Sequence, residues 1–473
     1  MKLAKVISVF LVAVIVLGFP ASAAFDQGQQ AVQDAQNAFG YHSIDSGAAY
    51  LGTEDLVENV GAALLYEMNS DTLMYAKQAD EKVFPSSLVK IMTALIAVQK
   101  GNLQDVVTVT QTALDAVPYY AASAELQADE QITLSDLLYC MMVGSANDAA
   151  AVIAEHVSGS QAAFVQEMNQ YAAALGCMGT QFVNAHGLHD ENQYTTARDL
   201  GRILVAAVQN ELFMTYFSAV NYTVPATNKA EERELSTGNF LMSVEKLQKY
   251  YDDRVIGGRT GFADDESRCL ATVAQKNGMQ IVCIVMGSIS TLSEDGKTDT
   301  YGSFAETSKL LDACFDNNHV VQIVYENQVL RQCPVINGEN DVILASANSI
   351  YSVLPASVSV GDLVFKYDDI ALQIEAPVSA GQVLTNVQVW HNGSCVAQTG
   401  LVTMNDVRYV ESLSTNDSAT DNNFAIGTPF IVILSVVCGV VGLLLLIRGV
   451  RYIRILLDKH KKKTIRENRR RSR

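Results

Sequence analysis

The chain has 473 residues, too many for one ordinary domain, and this length predicts about two or three domains. Hydrophobic residues make up 49% of the sequence and there are only eight prolines, which excludes a largely disordered protein. The net charge of −18 is unevenly spread, because residues 448–473 carry 12 Lys/Arg against 2 Asp/Glu. The remaining 49 acidic and 21 basic groups would repel phosphate, which excludes a nucleic-acid-binding main domain.

The N-terminus has the pattern of a secretory signal peptide over residues 1–23. Lys2 and Lys5 precede the mostly apolar run Val6–Phe19, and Ala21-Ser22-Ala23 follows as a small-residue cleavage pattern. The apolar run is too short to cross a bilayer as a helix, and the cleavage pattern argues against a retained anchor. We expect the mature protein to begin near Ala24, outside the cytoplasm, with a polar segment over 24–58.

Residues 59–317 are predicted to form an α+β domain in which strands, then helices, then strands follow one another. Predicted elements are a strand hairpin over Ala62–Lys77, a helix over Ser86–Gln99 stopped by Gly101, mostly helix over 133–210, and strands at Arg268–Ala274 and Gln280–Met286. The dipeptide Asn277-Gly278 joins the last two strands as a hairpin turn. The sheet must therefore bring the two ends of this domain together.

A second, all-β domain is predicted over 318–410, because short strand-like runs alternate there with turn signals such as Asn337-Gly338. Residues 411–423 are rich in Ser, Thr, Asn and Asp and are predicted to be a flexible stalk.

A transmembrane helix is predicted over 424–447. The uncharged stretch Pro429–Ile447 has 19 residues, about 28 Å of helix, which matches a hydrocarbon core. A buried core helix is the alternative, but it would normally keep a polar face. The basic segment 448–473 follows directly, so the positive-inside rule places this tail in the cytoplasm and the rest of the mature chain outside.

Cysteines do not form a disulfide framework in this sequence. Seven precede the predicted membrane segment, an odd number without close spacing, and there is no C-x-x-C or His cluster for zinc. We interpret them mostly as small buried hydrophobic residues.

A candidate nucleophile lies at the start of the predicted 86–99 helix. Ser87 and Lys90 are three residues apart and therefore project from the same face, where a lysine of lowered pKa can act as base for the hydroxyl. The pattern S-x-x-K is weak alone, and Ser243 and Lys246 repeat it. Only Ser87 opens a helix after a proline and a strand hairpin.

Two further motifs follow in order along the chain. Ser145 offers a hydroxyl for proton relay, and Asn147 offers an amide that can orient the lysine and a substrate carbonyl. The pattern S-x-N recurs at 346–348 and 414–416, outside the first domain. Arg259-Thr260-Gly261 occurs once, beside a predicted strand; its cation and hydroxyl can hold a carboxylate, and its glycine admits a ligand backbone.

The ordered set resembles the three motifs of serine-type D-alanyl-D-alanine carboxypeptidases, the low-molecular-mass penicillin-binding proteins. The segments that carry the resemblance are Pro85–Ala94, Ser145–Ala149, Arg259–Gly261, Met168-Asn169, Asn184–Leu188 and Tyr194–Asp199. It covers about residues 55–290 closely and the remainder loosely. The implied fold is a penicillin-recognising serine hydrolase: an antiparallel sheet flanked by helices with a helical insert, then a small all-β domain and a C-terminal transmembrane helix.

The resemblance also implies roles for these residues. Ser87 would form an acyl ester with the stem peptide of peptidoglycan, Lys90 would be the general base, Ser145 the proton relay and Asn147 the orienting amide. Arg259, Thr260 and Gly261 would bind the terminal carboxylate, and the backbone N–H groups of Ser87 and Phe262 would form the oxyanion hole. The implied partners are the stem peptide, β-lactam antibiotics as covalent inhibitors, and the bacterial cell membrane. No metal or cofactor is implied.

Arg259 departs from the family, which usually has lysine there. The charge is kept, but a planar guanidinium fits beside Ser145 differently from an ammonium. Two alternatives therefore stay open: a β-lactamase, which would need a deacylating carboxylate that no Glu-containing motif supplies, and a non-catalytic penicillin-binding or wall-scaffold protein. His186 is interpreted as a packed or loop residue, and the acidic positions 231, 232 and 234 as a solvated face.

Overall fold

A computed structural model of the chain describes residues 50–51, 56–262, 267–292, 298–367 and 374–411. The predicted signal peptide, transmembrane helix and basic tail lie outside these ranges, as does nearly all of the predicted stalk. Within these ranges no helix combines the length and apolar character needed to cross a membrane.

The described elements alternate between strands and helices in the first two thirds of the chain and are almost entirely strands afterwards. The first group is β1 (Ala62–Glu67), β2 (Thr72–Lys77), α1 (Val89–Lys100), β3 (Val106–Thr108), α2 (Gln111–Asp115), β4 (Gln131–Thr133), α3 (Leu134–Met142), α4 (Asn147–Ser158), α5 (Gln161–Ala174), α6 (Ala197–Val208), α7 (Glu211–Phe217), β5 (Asn221–Val224), β6 (Arg233–Ser236), β7 (Val255–Phe262), β8 (Ser267–Lys276), β9 (Met279–Ile289), β10 (Thr291–Leu292), β11 (Thr298–Thr300) and α8 (Gly302–Phe315).

The second group is β12 (Asn318–Val324), β13 (Val329–Cys333), β14 (Val342–Ser346), β15 (Ile350–Pro355), β16 (Val364–Tyr367), β17 (Val383–His391) and β18 (Ser394–Thr403). Three short 3₁₀ helices cover Ser86–Leu88, Gln248–Tyr250 and Val360–Asp362.

An antiparallel five-stranded sheet in the order β2-β1-β9-β8-β7 forms the centre of the first domain. Strand β1 pairs with β9, so the two ends of the domain meet in the sheet as the sequence predicted. Asn277 and Gly278 both have positive φ in the β8–β9 turn, which is the conformation that a tight hairpin requires. The hairpins predicted at Ala62–Lys77 and at Asn277-Gly278 are thereby confirmed.

Both faces of this sheet are buried, because alternate residues of each strand face opposite sides. On one side Leu64 and Ile284 belong to a large cluster with α1 and α6. On the other side Leu65 and Val285 pack with α8. Helix α1 is buried from Val89 to Val98, so its N-terminus is held rigidly against the sheet.

The insert between β2 and β7 is mostly helical over 133–210, as the sequence predicted. An irregular segment separates α5 from α6. Asp199 at the start of α6 anchors that segment, since its carboxylate accepts from the Gly179 amide at 2.7 Å and from the Thr180 hydroxyl at 2.9 Å. The segment carries His186 and Gly187 back to α1.

The second domain is all-β, as predicted. Strands β13-β14-β18-β17-β16 form an antiparallel five-stranded sheet around a small apolar cluster that includes Leu344 and Val387. Strands β12 and β15 pair separately, and Val353 of β15 joins the cluster beneath α8.

All seven cysteines of the described ranges are free. Six are buried, in agreement with their interpretation as small hydrophobic residues, and Cys395 in β18 is exposed. Burial raises the pKa of both Cys140 and Cys283 to about 12.

Candidate active site

Ser87 lies in a 3₁₀ turn directly before α1, which differs from the single helix predicted over 86–99. The turn follows Pro85, and Ser86 has a positive φ of 52°, an uncommon conformation for a residue other than glycine. Leu88 and Val89 are buried while Ser87 remains partly accessible. The local backbone thus presents the Ser87 hydroxyl at the surface of an otherwise buried helix start.

Lys90 is completely buried one turn further along. Its Nζ lies 3.1 Å from Ser87 Oγ, 2.8 Å from Asn147 Oδ1 and 2.5 Å from the carbonyl oxygen of His186. Burial lowers the pKa of Lys90 well below its usual value, and the charge of Arg259 lowers it further. The amine therefore gives up its proton readily and, when neutral, can accept the proton of Ser87.

The second motif follows α3 and begins α4. Ser145 has a positive φ of 64°, and its Oγ lies 3.5 Å from Ser87 Oγ. Asn147 is fixed at both ends of its amide: Oδ1 accepts from Lys90, and Nδ2 donates to the carbonyl of Ala122 at 2.8 Å. One N–H of this amide remains for a substrate carbonyl.

Arg259 is buried, with 3% of its surface exposed, on strand β7. Its guanidinium donates to the carbonyl of Met142 at 2.9 Å and to Ser145 Oγ at 2.5 Å. Burial lowers the pKa of Arg259 to about 10. The sequence predicted a carboxylate-binding cation here and left its fit beside Ser145 open; the structure shows that the planar fork reaches Ser145.

Thr260, Gly261 and Phe262 line the edge of the sheet that faces the nucleophile. Ser86 Oγ donates to the carbonyl of Phe262, which ties this edge to the 3₁₀ turn before α1. A Cβ on Gly261 would lie 3.2 Å from the Ser86 Cβ and 3.4 Å from the Ser87 nitrogen, so glycine allows the close approach. Thr260 is partly exposed and Phe262 is 61% exposed.

The segment Asn184–Leu188, to which the family resemblance gave no role, meets the site through its main chain. The carbonyl of His186 accepts from Lys90, so His186 contributes through its main chain, and burial lowers the pKa of its imidazole to about 4. Gly187, at φ 84°, is required beside it because a Cβ there would lie 2.0 Å from the Ser86 carbonyl oxygen. The segment Asn184–Leu188 therefore supports the nucleophile without entering the chemistry through its side chains.

The repeated motifs are not assembled in the same way. Ser243 precedes a turn outside any helix, and Lys246 is exposed, with Nζ donating to the carbonyl of Thr237 at 2.6 Å. In the β domain Ser346 donates to the carbonyl of Asn348 at 2.5 Å. Ser87, Lys90, Ser145, Asn147 and Arg259 are instead brought together from α1, the α3–α4 junction and β7.

The described part of the chain holds no group of three or more His, Cys, Asp or Glu side chains arranged to bind a metal ion. The carboxylate nearest to the second motif, that of Asp148, accepts from the Ser123 hydroxyl at 2.6 Å and from the Ala124 amide at 2.9 Å. This carboxylate therefore stabilises the loop that precedes β4.

Comparison with known proteins agrees with this geometry. Residues 53–290, half of the chain, match the family model described as D-alanyl-D-alanine carboxypeptidase, and residues 319–409 match the C-terminal domain of penicillin-binding protein 5. The D-alanyl-D-alanine carboxypeptidase DacF of Bacillus subtilis is 27% identical over 75% of this chain and 88% of its own length. That of Streptomyces sp. K15 is 31% identical over 48% of this chain and 80% of its own.

Among solved structures, penicillin-binding protein 5 from Haemophilus influenzae superposes with a TM-score of 0.63 and is 26% identical in sequence. The similarity covers 74% of this chain and 98% of that protein. It spans both the catalytic and the β domain.

Proposed function

The chain belongs to the D-alanyl-D-alanine carboxypeptidase family, and from this premise we propose how its residues release the terminal D-alanine of a peptidoglycan stem pentapeptide. The observation that carries the mechanism is the contact of fully buried Lys90 with Ser87. Once it has lost a proton, this amine is held 3.1 Å from a partly accessible hydroxyl, in position to act as a general base.

In the acylation step, Lys90 accepts the proton of Ser87 and Oγ attacks the carbonyl between the two D-alanines. The developing oxyanion is stabilised by the backbone N–H groups of Ser87 and Phe262, each worth about 3 to 4 kcal/mol in serine hydrolases. The position of the Ser87 nitrogen directly beside Gly261 supports this assignment.

Collapse of the intermediate needs a proton on the departing amine. Ser145 contacts Ser87 and Arg259, so its hydroxyl can give its proton to the leaving nitrogen while the Arg259 cation fixes its orientation. We propose that Lys90, whose Nζ contacts the same Ser87 oxygen, then returns to Ser145 the proton that it took from Ser87. The C–N bond breaks, D-alanine leaves, and Ser87 remains esterified. Water then attacks the ester, which regenerates the hydroxyl and releases the shortened stem peptide.

The terminal carboxylate of the substrate is assigned to Thr260, the accessible member of the third motif, with Arg259 supplying positive charge from beneath. A buried cation still attracts an anion through the low-dielectric protein, and it does so here without being displaced from Ser145. Penicillin, which carries an equivalent carboxylate and an acylating carbonyl, would acylate the same serine.

The test uses the detergent-solubilised full chain with a stem pentapeptide and with a fluorescent penicillin. We expect release of D-alanine, a covalent penicillin adduct on the peptide that contains Ser87, and slow loss of that adduct. Rapid hydrolysis of penicillin without peptidase activity would identify a β-lactamase. An adduct without peptidase activity would identify a non-catalytic penicillin-binding protein, and no adduct at all would overturn the choice of nucleophile.

We further propose that the protein is a single-pass protein of the bacterial cell membrane, with both folded domains outside and the C-terminal tail in the cytoplasm. The support is the apolar run Pro429–Ile447 followed by the basic segment 448–473. Protease added to intact spheroplasts should degrade the catalytic domain and spare an epitope fused to the C-terminus. Degradation of the epitope with survival of the catalytic domain would indicate the opposite topology.

A further inference from the structure

Ser86, the residue directly before the nucleophile, takes no part in the mechanism above. It is buried, with 2% of its surface exposed, and its φ of 52° lies in the region that favours glycine. A residue with a Cβ keeps such a conformation only where surrounding contacts hold it, and these positions concentrate at active sites. The contacts of the Ser86 side chain are therefore a place to look for a functional role.

The Ser86 hydroxyl forms a hydrogen bond that crosses from the 3₁₀ turn to the sheet. Its Oγ donates to the carbonyl oxygen of Phe262, the last residue of β7. Strand β7 lies at the edge of the five-stranded sheet, so its backbone groups point alternately towards β8 and towards the open edge. The contact with Ser86 shows that the Phe262 carbonyl points towards the open edge, where the turn lies.

The direction of this carbonyl also gives the direction of the Phe262 N–H group. In an antiparallel sheet the N–H and C=O groups of one residue point to the same side of the strand. The Phe262 N–H group therefore also points towards the turn. The same edge approaches the nucleophile closely, because a Cβ on Gly261 would lie 3.4 Å from the Ser87 nitrogen. The two N–H groups assigned to the oxyanion hole thus lie on facing segments that Ser86 joins.

An oxyanion hole tolerates little change in the separation of its two donors. Each donor nitrogen has to lie about 3 Å from the oxyanion, so the nitrogens of Ser87 and Phe262 can be at most about 6 Å apart. A displacement of about 1 Å is enough to slow an enzyme substantially. Ser86 and Phe262 are 176 residues apart in sequence, so the connectivity of the chain does not fix this separation. Contacts between the turn and β7 have to fix it.

Resting on the proposed function, we propose that Ser86 is a positioning residue for the oxyanion hole. Its hydroxyl holds the main chain of Phe262 against the turn, so that the N–H groups of Ser87 and Phe262 converge on one oxygen. Without this hydroxyl the edge of β7 can move away from the turn. That movement weakens the stabilisation of the developing negative charge more than it weakens binding of the ground state.

The test compares three variants of the detergent-solubilised full chain with the unmodified protein. Ser86→Ala removes only the hydroxyl oxygen, whereas Ser86→Gly also removes the Cβ and suits the positive φ, which separates the hydrogen bond from backbone strain. Ser346→Ala is the matched control, because Ser346 of the β domain is also buried and also donates to a backbone carbonyl. Stopped-flow labelling with a fluorescent penicillin gives the dissociation constant of the first complex and the rate constant of acylation.

Both Ser86 variants should be acylated about tenfold more slowly, the equivalent of one neutral hydrogen bond, with the dissociation constant of the first complex changed by less than about twofold. The infrared band of the acyl-ester carbonyl, isolated with a ¹³C label in the penicillin, should move to higher wavenumber in both, because its oxygen accepts weaker hydrogen bonds. Ser346→Ala should change neither the rate nor the band. In urea, Ser86→Gly should be no less stable than Ser86→Ala.

Acylation of both Ser86 variants within about twofold of the unmodified rate would overturn the proposal. So would an unmoved carbonyl band, because the hydroxyl would then stabilise the fold without positioning the N–H groups. A loss confined to the first complex would overturn it as well. These three outcomes leave the proposed function intact, since the adduct on Ser87 still forms. Absence of an adduct in the unmodified protein would overturn the proposed function and this proposal with it.

Discussion

Two segments of this chain share the pattern S-x-x-K, and their lysines differ in burial and in hydrogen-bond partners. Lys90 is buried on a helix, contacts its serine and has a lowered pKa, whereas Lys246 is exposed in a turn and its Nζ donates to a backbone carbonyl. Among the described hydrogen bonds Lys246 has none to Ser243, so it is not placed to act as the base of that serine. Burial next to a second cation, rather than the residue pattern, therefore makes a catalytic lysine.

The largest expected effect separates the two serines. Ser87→Ala removes the nucleophile, so penicillin acylation and D-alanine release should fall by about 10⁴-fold or more. Ser243→Ala, the matched control, should leave both rates within about twofold, because Ser243 has no contact with the lysine of its own motif among the described hydrogen bonds. Stopped-flow acylation with fluorescent penicillin measures both. A comparable loss in Ser243→Ala would remove the distinction between the two motifs.

The two lysines should differ almost as strongly. Lys90→Arg keeps a charge but places a group of high pKa beside Ser87, so acylation should fall by about 10³-fold. Lys246→Arg should have no measurable effect on the rate. In the unmodified protein, acylation should rise with pH through the lowered pKa of Lys90 and be level above it. A rate that climbs up to the pKa of an exposed lysine would contradict the assignment of Lys90 as base.

A comparison of two glycines of positive φ tests whether acylation requires the close backbone approach to Ser86. A Cβ on Gly187 would overlap the Ser86 carbonyl, whereas one on Gly159 would meet open space. Gly159→Ala should lower the free energy of unfolding by about 1 kcal/mol, and Gly187→Ala by about 3 kcal/mol together with a loss of acylation of about 10²-fold. Urea unfolding and penicillin labelling provide the two measurements. Equal effects of the two substitutions would show that the clash is relieved without moving Ser86.

Among the substitutions within the site, the smallest loss of acylation rate is expected when Arg259 is replaced by another cation. Arg259→Lys should retain acylation within about tenfold, because an ammonium can still approach Ser145. Arg259→Gln removes a charge that lowers the pKa of Lys90, so that pKa rises and the acid limb of the pH–rate profile should move to higher pH. Acylation rates between pH 5 and 10 test both. An unmoved acid limb in Arg259→Gln would mean that Arg259 acts on Ser145 alone.

The sequence predicted those parts of the site that depend on side chains at fixed spacing. Ser87 and Lys90 adjoin because both lie within one turn at the start of a helix, and this follows from spacing alone. Ser145 and Arg259 come from distant segments, and only the resemblance of ordered motifs could associate them. Local pattern also predicted the hairpin at Asn277-Gly278, since its turn chemistry is short-range.

The parts of the site that the sequence did not predict depend on main-chain atoms and on tertiary packing. The carbonyls of His186 and Ala122 carry no residue-specific signal, so their contacts with Lys90 and Asn147 could not be predicted. The 3₁₀ turn at Ser86–Leu88 was likewise missed, because a helical hydrophobic pattern does not distinguish it from the first turn of α1. The burial of Arg259 arises from packing of β7 beneath the α3–α4 junction, which is a tertiary property.

One exposed cysteine among six buried ones offers a native position for a fluorescent label in the described part of the chain. A buried thiol of raised pKa is rarely a thiolate and reacts slowly with electrophiles, so of the seven cysteines in the described ranges a maleimide dye should select Cys395. That residue lies in the β domain, well apart in sequence from Ser87. A dye at Cys395 and a fluorescent penicillin at Ser87 would form a donor–acceptor pair without any engineered residue, and energy transfer between them would report the separation of the two domains for as long as the penicillin adduct persists.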